Sequence, residues 1–368
     1  MSMTPTVSNV GLIGFGLGGA TFHAPFIART PGLRLAAVMT SDPARRAAVE
    51  REYPDTVIVS DFAELMAQSP KLDLVAISTP NGTHYPLARA VLEAGCHVVV
   101  DKPFAATASQ ARDLASIAAA AGRRAFPFQN RRWDGDYLTL RKLIADGALG
   151  EIHRFESRFD RWRVDPKPGW CRPDARERTE NIVHDLATHL IDQSLCLFGP
   201  VASVYAELRR VRPKTESVDD AFIALTHESG VCSHLTMTIQ AGILPARMSV
   251  FGARGAYVKF GVDVQEEQLR AGVRPDTPGY GDDPEERWGA FGAGEDKRII
   301  PTLRGDYSPF YLGVARAIRE GAPSPVAIPD VVTQLEIVEA AFRSAESGMV
   351  EFLSPIRGAR LSLARRPF

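Results

Sequence analysis

Cysteine is scarce in this chain: only four of its 368 residues are cysteines, and they lie far apart. Because no CxxC pair or other metal-ligand spacing occurs, the sequence predicts neither a metal site nor a disulfide framework. We therefore expect free thiols in a reducing compartment. Long apolar runs are also missing, since the first one, Val10–Phe15, is short and interrupted by glycine. We expect neither a signal peptide nor a transmembrane helix, and thus a cytoplasmic protein without a membrane partner.

Net charge is nearly absent as well, because 43 lysines and arginines balance 44 aspartates and glutamates. A near-neutral chain has no general attraction for nucleic acid or for an anionic membrane, so we expect neither as a partner. The hydrophobic share of 45% and the charged share of 24% are those of an ordinary globular protein. The length is sufficient for two domains.

Residues 1–128 alternate short aliphatic runs with longer amphipathic stretches, the pattern of parallel strands connected by helices. The predicted strands are Val7–Ile13, Leu33–Met39, Thr56–Val59, Leu72–Ser78, Cys96–Val100 and Arg124–Phe128. The stretches Pro86–Ala94 and Ala108–Ala121 have apolar residues at helical spacing and predict helices between strands. Six such strands make a complete doubly wound α/β domain with a parallel sheet.

The pattern changes after residue 128, and residues 129–353 predict a second domain of the α+β class. Its predicted helices are Asp134–Asp146, Asn181–Leu197, Phe310–Glu320 and Pro329–Ser347. Its predicted strands are Glu151–Phe159, Val201–Leu208, Ala221–His227, Val231–Gln240, Met248–Phe251 and Ala256–Phe260. The close spacing of these strands favours a largely antiparallel sheet.

Three segments follow neither pattern. Asp160–Arg178 is rich in proline and arginine and predicts a functional or mobile loop. Asp263–Pro301 is rich in glycine, proline and charge, so we predict a loop there too. Residues 354–368 form a basic tail with few apolar residues, which we expect to be disordered.

A glycine-rich turn follows the first predicted strand directly and opens a helix. Gly14, Gly16 and Gly19 match the GxGxxG pattern, with Phe15 and Leu17 between them. The first glycine permits the tight turn, the second lets the backbone approach a pyrophosphate, and the third lets the helix pack on the strand. The helix N-terminus would then attract the phosphates. An incidental glycine-rich turn would look the same, but the position within a series of βα units favours a dinucleotide site.

The residues after the second strand indicate which dinucleotide is favoured. A carboxylate at this point would bond the ribose diol and repel a phosphate. Here Thr40 and Ser41 are neutral donors, while Arg45 or Arg46 lies where a guanidinium could pair with a 2′-phosphate. The sequence therefore favours NADP over NAD. Asp42 leaves NAD open, although its position also suits a helix N-cap.

Three polar residues are candidates for catalysis. Lys102 follows the fifth predicted strand, at the sheet edge where ligands of open α/β sheets bind, although a surface residue could also start a loop there. Asp185 and His189 are four residues apart in a predicted helix and share a face. On spacing alone this pair fits a surface ion pair as well as a functional one. His184 is five residues from His189, which excludes a two-histidine zinc arrangement.

Five motifs, GFGLGG, STPNGTH, VVVDKPF, FQNRRWD and HDLATHLIDQ, occur in this order and together resemble the Gfo/Idh/MocA oxidoreductase family over nearly the whole chain. The runs Thr21–Pro25 and Asn130–Asp134 are similar to its scyllo-inositol dehydrogenase branch. The resemblance implies a Rossmann domain and a second domain on a large, open, mostly antiparallel sheet. The outer face of that sheet commonly forms oligomers, so we expect a homodimer or homotetramer.

The resemblance also implies that Lys102, Asp185 and His189 are catalytic, with a hydride moving between a nicotinamide and a secondary alcohol or ketone of a small polyol or sugar. His189, with its pKa near neutrality, would be the general base, Lys102 would polarise the reacting oxygen, and Asp185 would position the substrate. Further cofactor-binding candidates are Thr79, Pro80, Asn81, His84, Asp101, Lys102 and Gln129. Further substrate-binding candidates, each also compatible with ordinary packing, are Arg131, Trp133, Trp162 and Arg163.

Two points leave alternatives open. Relatives usually carry a glycine-rich stretch before the Asp-x-x-x-His helix, whereas residues 176–181 here include bulky charged side chains. We expect these to reshape the substrate pocket, which weakens inositol as the specific substrate. The same architecture could also serve as a regulator that senses a dinucleotide without turnover. A regulator needs no base and no lysine at the reacting carbon, so these three residues together favour an enzyme.

Overall fold

The computed structural model describes residues 7–68, 71–174 and 179–353. Its first sheet has six parallel strands in the order β3-β2-β1-β4-β5-β6. The strands are β1 (Ser8–Ile13), β2 (Leu33–Met39), β3 (Val57–Val59), β4 (Leu74–Ile77), β5 (His97–Val100) and β6 (Ala125–Pro127). All six predicted strands are confirmed. The strand order reverses between β1 and β4, so a ligand crevice is expected at the carboxyl ends of these two strands.

Five helices lie between these strands in sequence. They are α1 (Ala24–Arg29), α2 (Pro43–Glu52), α3 (Phe62–Ala67), α4 (His84–Glu93) and α5 (Ala108–Ala120). A π-helical turn, Gly19–His23, leads into α1, so the glycine motif continues directly into helical backbone. Asp42 caps α2 by accepting a hydrogen bond from the Arg45 backbone N–H at 3.0 Å, as its position predicts.

The second sheet has nine strands in the order β14-β13-β12-β11-β7-β10-β9-β8-β15. Its first five strands in sequence are β7 (Ile152–Arg158), β8 (Val201–Arg209), β9 (Asp220–His227), β10 (Cys232–Thr238) and β11 (Met248–Gly252). The other four are β12 (Gly255–Lys259), β13 (Gly289–Ala293), β14 (Asp296–Ile300) and β15 (Glu351–Phe352). Among the described strands of this sheet, only β7 and β10 pair in parallel, so the mostly antiparallel sheet is confirmed.

The second half has the helices α6 (Gly135–Ala145), α7 (Thr188–Phe198), α8 (Gln265–Arg270), α9 (Ser308–Glu320) and α10 (Ile328–Ser347). Of these, α6, α7 and α10 contribute buried residues to the core of the second sheet. A π-helical turn, Val183–Ala187, runs directly into α7. Alternate residues of β9 and β10 are buried, as expected for strands with one covered face. Within the described ranges, no helix combines the length and the apolarity needed to span a bilayer.

One predicted loop is wrong. Asp263–Pro301 contains the short helix α8 and the hairpin of β13 and β14. The sequence of β13 is Gly-Ala-Phe-Gly-Ala and that of β14 starts Asp-Lys-Arg, so neither shows the apolar alternation of a half-buried strand. Their exposed position near one edge of the sheet explains this composition. The predicted tail, 354–368, lies outside the described residues.

The hydrophobic core of the first sheet also includes residues from the end of the chain. Phe310 and Tyr311 of α9 are fully buried in it, with the Phe310 ring 4.8 Å from that of Phe128. α10 contributes Leu335 to this core and Ile337 to the core of the second sheet. The two halves are thus packed together through α9 and α10, which fixes the two sides of the cleft between them.

Candidate active site

A cleft of about 510 Å³ opens at the carboxyl ends of β1, β4 and β5. From the first half it is lined by Gly14, Gly16, Leu17, Gly18, Phe22, Arg45, Ser78, Thr79, Pro80, Asn81, Asp101, Lys102 and Phe128. From the second half it is lined by Asn130, Arg131, Arg161, Arg163, Lys167, Asp185, Leu186, His189, Glu266 and Arg270. One cavity therefore contains residues from the motifs at three strand ends and from the helical segment with Asp185, which is distant in sequence.

The glycine motif forms a backbone cradle on the first side. Gly14 has a φ of +93°, and a Cβ there would collide with the carbonyl oxygen of Ser78. A Cβ on Gly18 would collide with the Ser78 side chain. A Cβ on Gly16 would instead point into open space, with only the Arg45 guanidinium within 4 Å. A side chain at residue 16 would fill this space, so the cradle fits the close backbone approach of a dinucleotide pyrophosphate.

Of the two arginines after β2, only Arg45 lines the cleft. Arg46 turns away, because its Nη1 donates to the carbonyl oxygen of Thr40 at 3.4 Å and to Ser60 Oγ at 3.3 Å. Thr40 is buried and Ser41 is exposed, and neither lines the cleft. Of the four residues proposed to contact the adenosine ribose, the structure therefore brings only Arg45 to the cavity.

Four other proposed cofactor residues lie outside the cleft lining. Both ring nitrogens of the buried His84 face backbone oxygens, that of Thr79 at 2.9 Å and that of Pro103 at 2.8 Å, so His84 connects the loops after β4 and β5. Gln129 bonds Gln334 at 3.0 Å. Phe15 packs on Tyr53, and Gly19 packs against Gly14. These four residues do not line the cleft, and their contact with a cofactor stays a prediction.

Lys102 and Asp185 form the central ion pair of the cleft. Lys102 Nζ donates to Asp185 Oδ1 at 2.6 Å and to the Asp185 backbone oxygen at 2.7 Å. Lys167 Nζ approaches the other carboxylate oxygen at 3.1 Å. Burial opposes ionisation of Asp185, but the two lysines outweigh it and hold its pKa well below the ordinary value. Asp185 is therefore ionised at neutral pH, and Lys102 is fixed in one direction.

His189 lies in the same cavity and is buried. Its Nδ1 has no hydrogen-bond partner among the described residues. Burial lowers the pKa of His189 well below its ordinary value, and the charges of Lys102 and Arg131 lower it further. The expected pKa near neutrality is therefore wrong. The imidazole is neutral throughout the physiological range and can accept a proton.

A chain of polar contacts leads from the buried Tyr311 to the backbone of Lys102. Tyr311 OH lies 2.6 Å from His23 Nδ1, and His23 Nε2 lies 3.4 Å from Asp101 Oδ2. Asp101 also accepts hydrogen bonds from Ser78 Oγ at 3.0 Å and from the Lys102 backbone N–H at 2.7 Å. Burial raises the pKa of Asp101, but His23 and Lys102 more than compensate, so the net shift is downward. In the sequence, His23 stands out only as part of the run Thr21–Pro25, which is similar to the scyllo-inositol dehydrogenase branch. Its residue type and spacing alone do not indicate a role.

The substrate candidates divide into two groups. Arg131 and Arg163 line the cleft, whereas Trp133 packs on Phe310 and Trp162 lines a neighbouring cavity. Arg131 is held by Glu266 at 2.7 Å and by Asp134 at 3.3 Å.

Sequence reasoning missed four charged residues of the lining: Arg161, Lys167, Glu266 and Arg270. The first two lie in the loop already predicted to be functional. Glu266 and Arg270 are four residues apart, the spacing of an ion pair on one face of a helix. This spacing could have indicated α8.

Comparisons with known proteins show the family to which the chain is related. Residues 8–128 match the oxidoreductase family with an NAD-binding Rossmann fold, and residues 137–258 match the GFO/IDH/MocA C-terminal domain. The chain is 41% identical to the oxidoreductase YdgJ of Escherichia coli, over 92% of this chain and 96% of YdgJ. It is 34% identical to scyllo-inositol 2-dehydrogenase (NADP(+)) IolW of Bacillus subtilis, over 92% of this chain and 93% of IolW.

A solved structure of the oxidoreductase yvaA from Bacillus subtilis superposes with a TM-score of 0.87 at 32% identity, covering 95% of this chain and 99% of yvaA. Fold and site define a two-domain oxidoreductase with an NAD-binding Rossmann domain. The chain belongs to the Gfo/Idh/MocA oxidoreductase family.

Proposed function

We propose that this protein is a nicotinamide-dependent dehydrogenase that acts on a secondary alcohol, or the corresponding ketone, of a small polyol or sugar. The observation that carries the proposal is the shared cavity of the glycine cradle with Lys102, Asp185 and His189. A protein that only bound the dinucleotide would not need a lysine, a carboxylate and a neutral imidazole directed into the same space. The relationship to IolW, a scyllo-inositol dehydrogenase by name, supports this substrate class.

The residues of the cleft suit this reaction. When bound, the nicotinamide supplies the acceptor or donor of the hydride. The neutral His189 takes the hydroxyl proton of the alcohol, since its burial favours the uncharged form that can accept a proton. Lys102 donates a hydrogen bond to the same oxygen and stabilises negative charge as it develops there. Asp185 holds Lys102 in place and accepts a hydrogen bond from a neighbouring hydroxyl of the substrate.

We propose NADP as the preferred cofactor. Arg45 lines the cleft beside Gly16 and presents a guanidinium, which pairs with phosphate in a bidentate manner. Its neighbour Asp42 is occupied as a helix cap and is therefore less available to a ribose diol. The name of IolW, which includes NADP(+), supports the same preference.

Two further properties are part of the proposal. The outer face of the second sheet supports self-association into a homodimer or homotetramer, and sedimentation of the purified protein tests this. The cysteines Cys96, Cys171, Cys196 and Cys232 are unpaired, which supports a reducing compartment such as the cytoplasm.

The test is a substrate panel. In the oxidising direction, purified protein and NADP are mixed with inositols, aldoses and polyols. In the reducing direction, the protein and NADPH are mixed with the keto forms of these compounds. The absorbance band of the reduced nicotinamide is followed in both. We expect turnover with at least one member. Tight cofactor binding without turnover of any member would instead favour a dinucleotide-sensing regulator.

A further inference from the structure

The far side of the cleft carries a large excess of positive charge. Among the described residues that the second half contributes to the lining, five are cations and two are acids. The cations are Arg131, Arg161, Arg163, Lys167 and Arg270. The acids already have partners, since Asp185 pairs with Lys167 and with Lys102 of the first half, and Glu266 pairs with Arg131 and Arg270. The chain as a whole has a net charge of −1, so this excess is a local property of the site.

Two of the cations have no charge partner of their own. The guanidinium groups of Arg161 and Arg163 make no ion pair and no side-chain hydrogen bond to any residue that the structure describes. Arg161 stacks over the Phe159 ring, with Cζ 5.2 Å from the ring centroid, and is largely shielded from solvent. Burial accordingly lowers the pKa of Arg161, and the nearby charges of Asp185 and Glu266 only partly oppose this. A largely shielded guanidinium without a partner is costly unless a ligand supplies the counter-charge.

The backbone holds these two arginines in fixed positions. The Arg161 N–H donates to the carbonyl oxygen of Thr238 at 2.8 Å, and the Arg163 N–H donates to that of Ile239 at 2.9 Å. The Ala241 N–H donates back to Arg161 at 3.0 Å. This extended segment continues β7 beyond its last residue and places residues 161 and 163 on the same face. The ordered backbone thus directs both side chains to one side, with Arg161 half-buried and Arg163 exposed.

We propose that the substrate of this enzyme carries an oxyanion, a carboxylate or a phosphate, which Arg161 and Arg163 bind while the reacting hydroxyl lies at Lys102 and His189. The inference rests on the proposed function and adds the charge of the substrate to it. Guanidinium groups bind either oxyanion through paired, parallel hydrogen bonds. A neutral polyol would leave both arginines without a counter-charge.

The cofactor does not account for this charge. Its phosphates belong to the glycine cradle and to Arg45, which lie on the first-sheet side of the cleft. Arg161 lies instead on the second side of the cleft, where Arg131 and Glu266 form an ion pair at 2.7 Å. Arg161, Arg163 and Lys167 also line a smaller pocket with Asp185 and Trp170, away from the glycines.

The test compares matched neutral and anionic probes on protein loaded with NADP. The probes are D-glucose with D-glucuronate and glucose phosphate, and myo-inositol with its monophosphate. Turnover is measured by nicotinamide absorbance and binding by calorimetry. The variants are Arg161→Gln, which removes the positive charge, and Arg161→Lys, which keeps the charge but loses the paired N–H donors of the guanidinium. Arg158→Gln is the matched control, because Arg158 lines the neighbouring cavity but not the cleft.

We expect at least one anionic probe to bind or react about 10- to 100-fold better than its neutral partner, the usual range for a hydrogen bond to a charged group. Arg161→Gln should abolish this preference, Arg161→Lys should restore part of it, and Arg158→Gln should leave it unchanged. The carboxylate and phosphate arms identify which oxyanion is preferred.

Equal or better performance of the neutral probes would overturn the anionic substrate while leaving the dehydrogenase intact. Preferential binding of an anionic probe without any turnover would retain the oxyanion site and count against the proposed reaction. If no probe bound or reacted, the oxyanion site would be rejected.

Discussion

The two sides of the cleft differ in the groups that line them, backbone on one side and charged side chains on the other. On the first side, the groups that would contact a dinucleotide are mainly backbone, in the turn from Gly14 to Gly18 and in the loops after β4 and β5. On the second side, long charged side chains reach the cavity, Arg161 and Lys167 from one loop and Arg270 from α8. The first side offers a cofactor a rigid surface of fixed shape. The second side offers a substrate charge and hydrogen bonds, which single substitutions can change.

This difference implies different responses to mutation. A change on the glycine side should alter cofactor affinity or stability. A change at the Lys102–Asp185–His189 cluster should alter the chemical step and leave cofactor affinity nearly constant.

Replacing a residue of the catalytic cluster should have the largest effect. We expect Lys102→Met and His189→Ala each to lower kcat by about a hundredfold or more, because they remove stabilisation of the developing charge and proton acceptance. Cofactor dissociation constants, measured by fluorescence of the reduced nicotinamide, should stay nearly unchanged. Lys142→Met is the matched control, since Lys142 pairs with Asp146 on an exposed helix face. Full activity in both cluster variants would show that the site is misassigned.

Arg45→Gln should have the next largest effect. Loss of a charge-assisted hydrogen bond should weaken NADP binding about 10- to 100-fold and leave NAD binding almost unchanged. Arg46→Gln is the control, because Arg46 bonds Thr40 and Ser60 rather than facing the cleft. Similar losses for both cofactors, or a larger loss in Arg46→Gln, would reject the assignment of the phosphate-binding role to Arg45.

Two glycine substitutions separate cofactor binding from folding. Gly16→Ala places a methyl group in the open cradle, so we expect about a tenfold loss of cofactor affinity with an unchanged melting temperature. Gly14→Ala forces a Cβ against Ser78 at a positive φ and should lower stability by about 1–3 kcal/mol. Thermal melting and cofactor titration of both variants distinguish the two effects. A Gly16→Ala protein with normal affinity would contradict the cradle.

The activity should change least with pH in the range where histidine ordinarily titrates. For alcohol oxidation, the neutral form of His189 is required, and its lowered pKa keeps this form populated well below the ordinary histidine pKa of about 6.5. The plot of log kcat/KM should therefore stay flat as the pH falls through 6.5, a value typical of histidine, and decline only at lower pH. A clear break near that value would mean that His189 is not desolvated in the working enzyme, or is not the base.

The sequence was most informative where the function depends on backbone. The order of six strands, the glycine turn and the Asp42 cap follow from local rules that relate residue type to conformation. Arg45 and Arg46 are adjacent in sequence, and only the packing of α2 decides which one faces the cleft. The composition of Asp263–Pro301 predicts a loop, because β13 and β14 have few apolar residues to bury. The pKa of His189 depends on burial and on charges from Lys102 and Arg131, which sequence spacing does not reveal.

The most direct test of the central claim follows the hydride itself. NADPH deuterated at one of the two C4 positions, with each epimer tested in turn, is mixed with the keto form of the panel member that turns over, and the product is analysed by mass spectrometry. With one of the epimers, we predict one deuterium on the newly formed carbinol carbon of the product and none left in the cofactor. Deuterium released to solvent, or retained in the cofactor with both epimers while product forms, would contradict direct hydride transfer in this cleft.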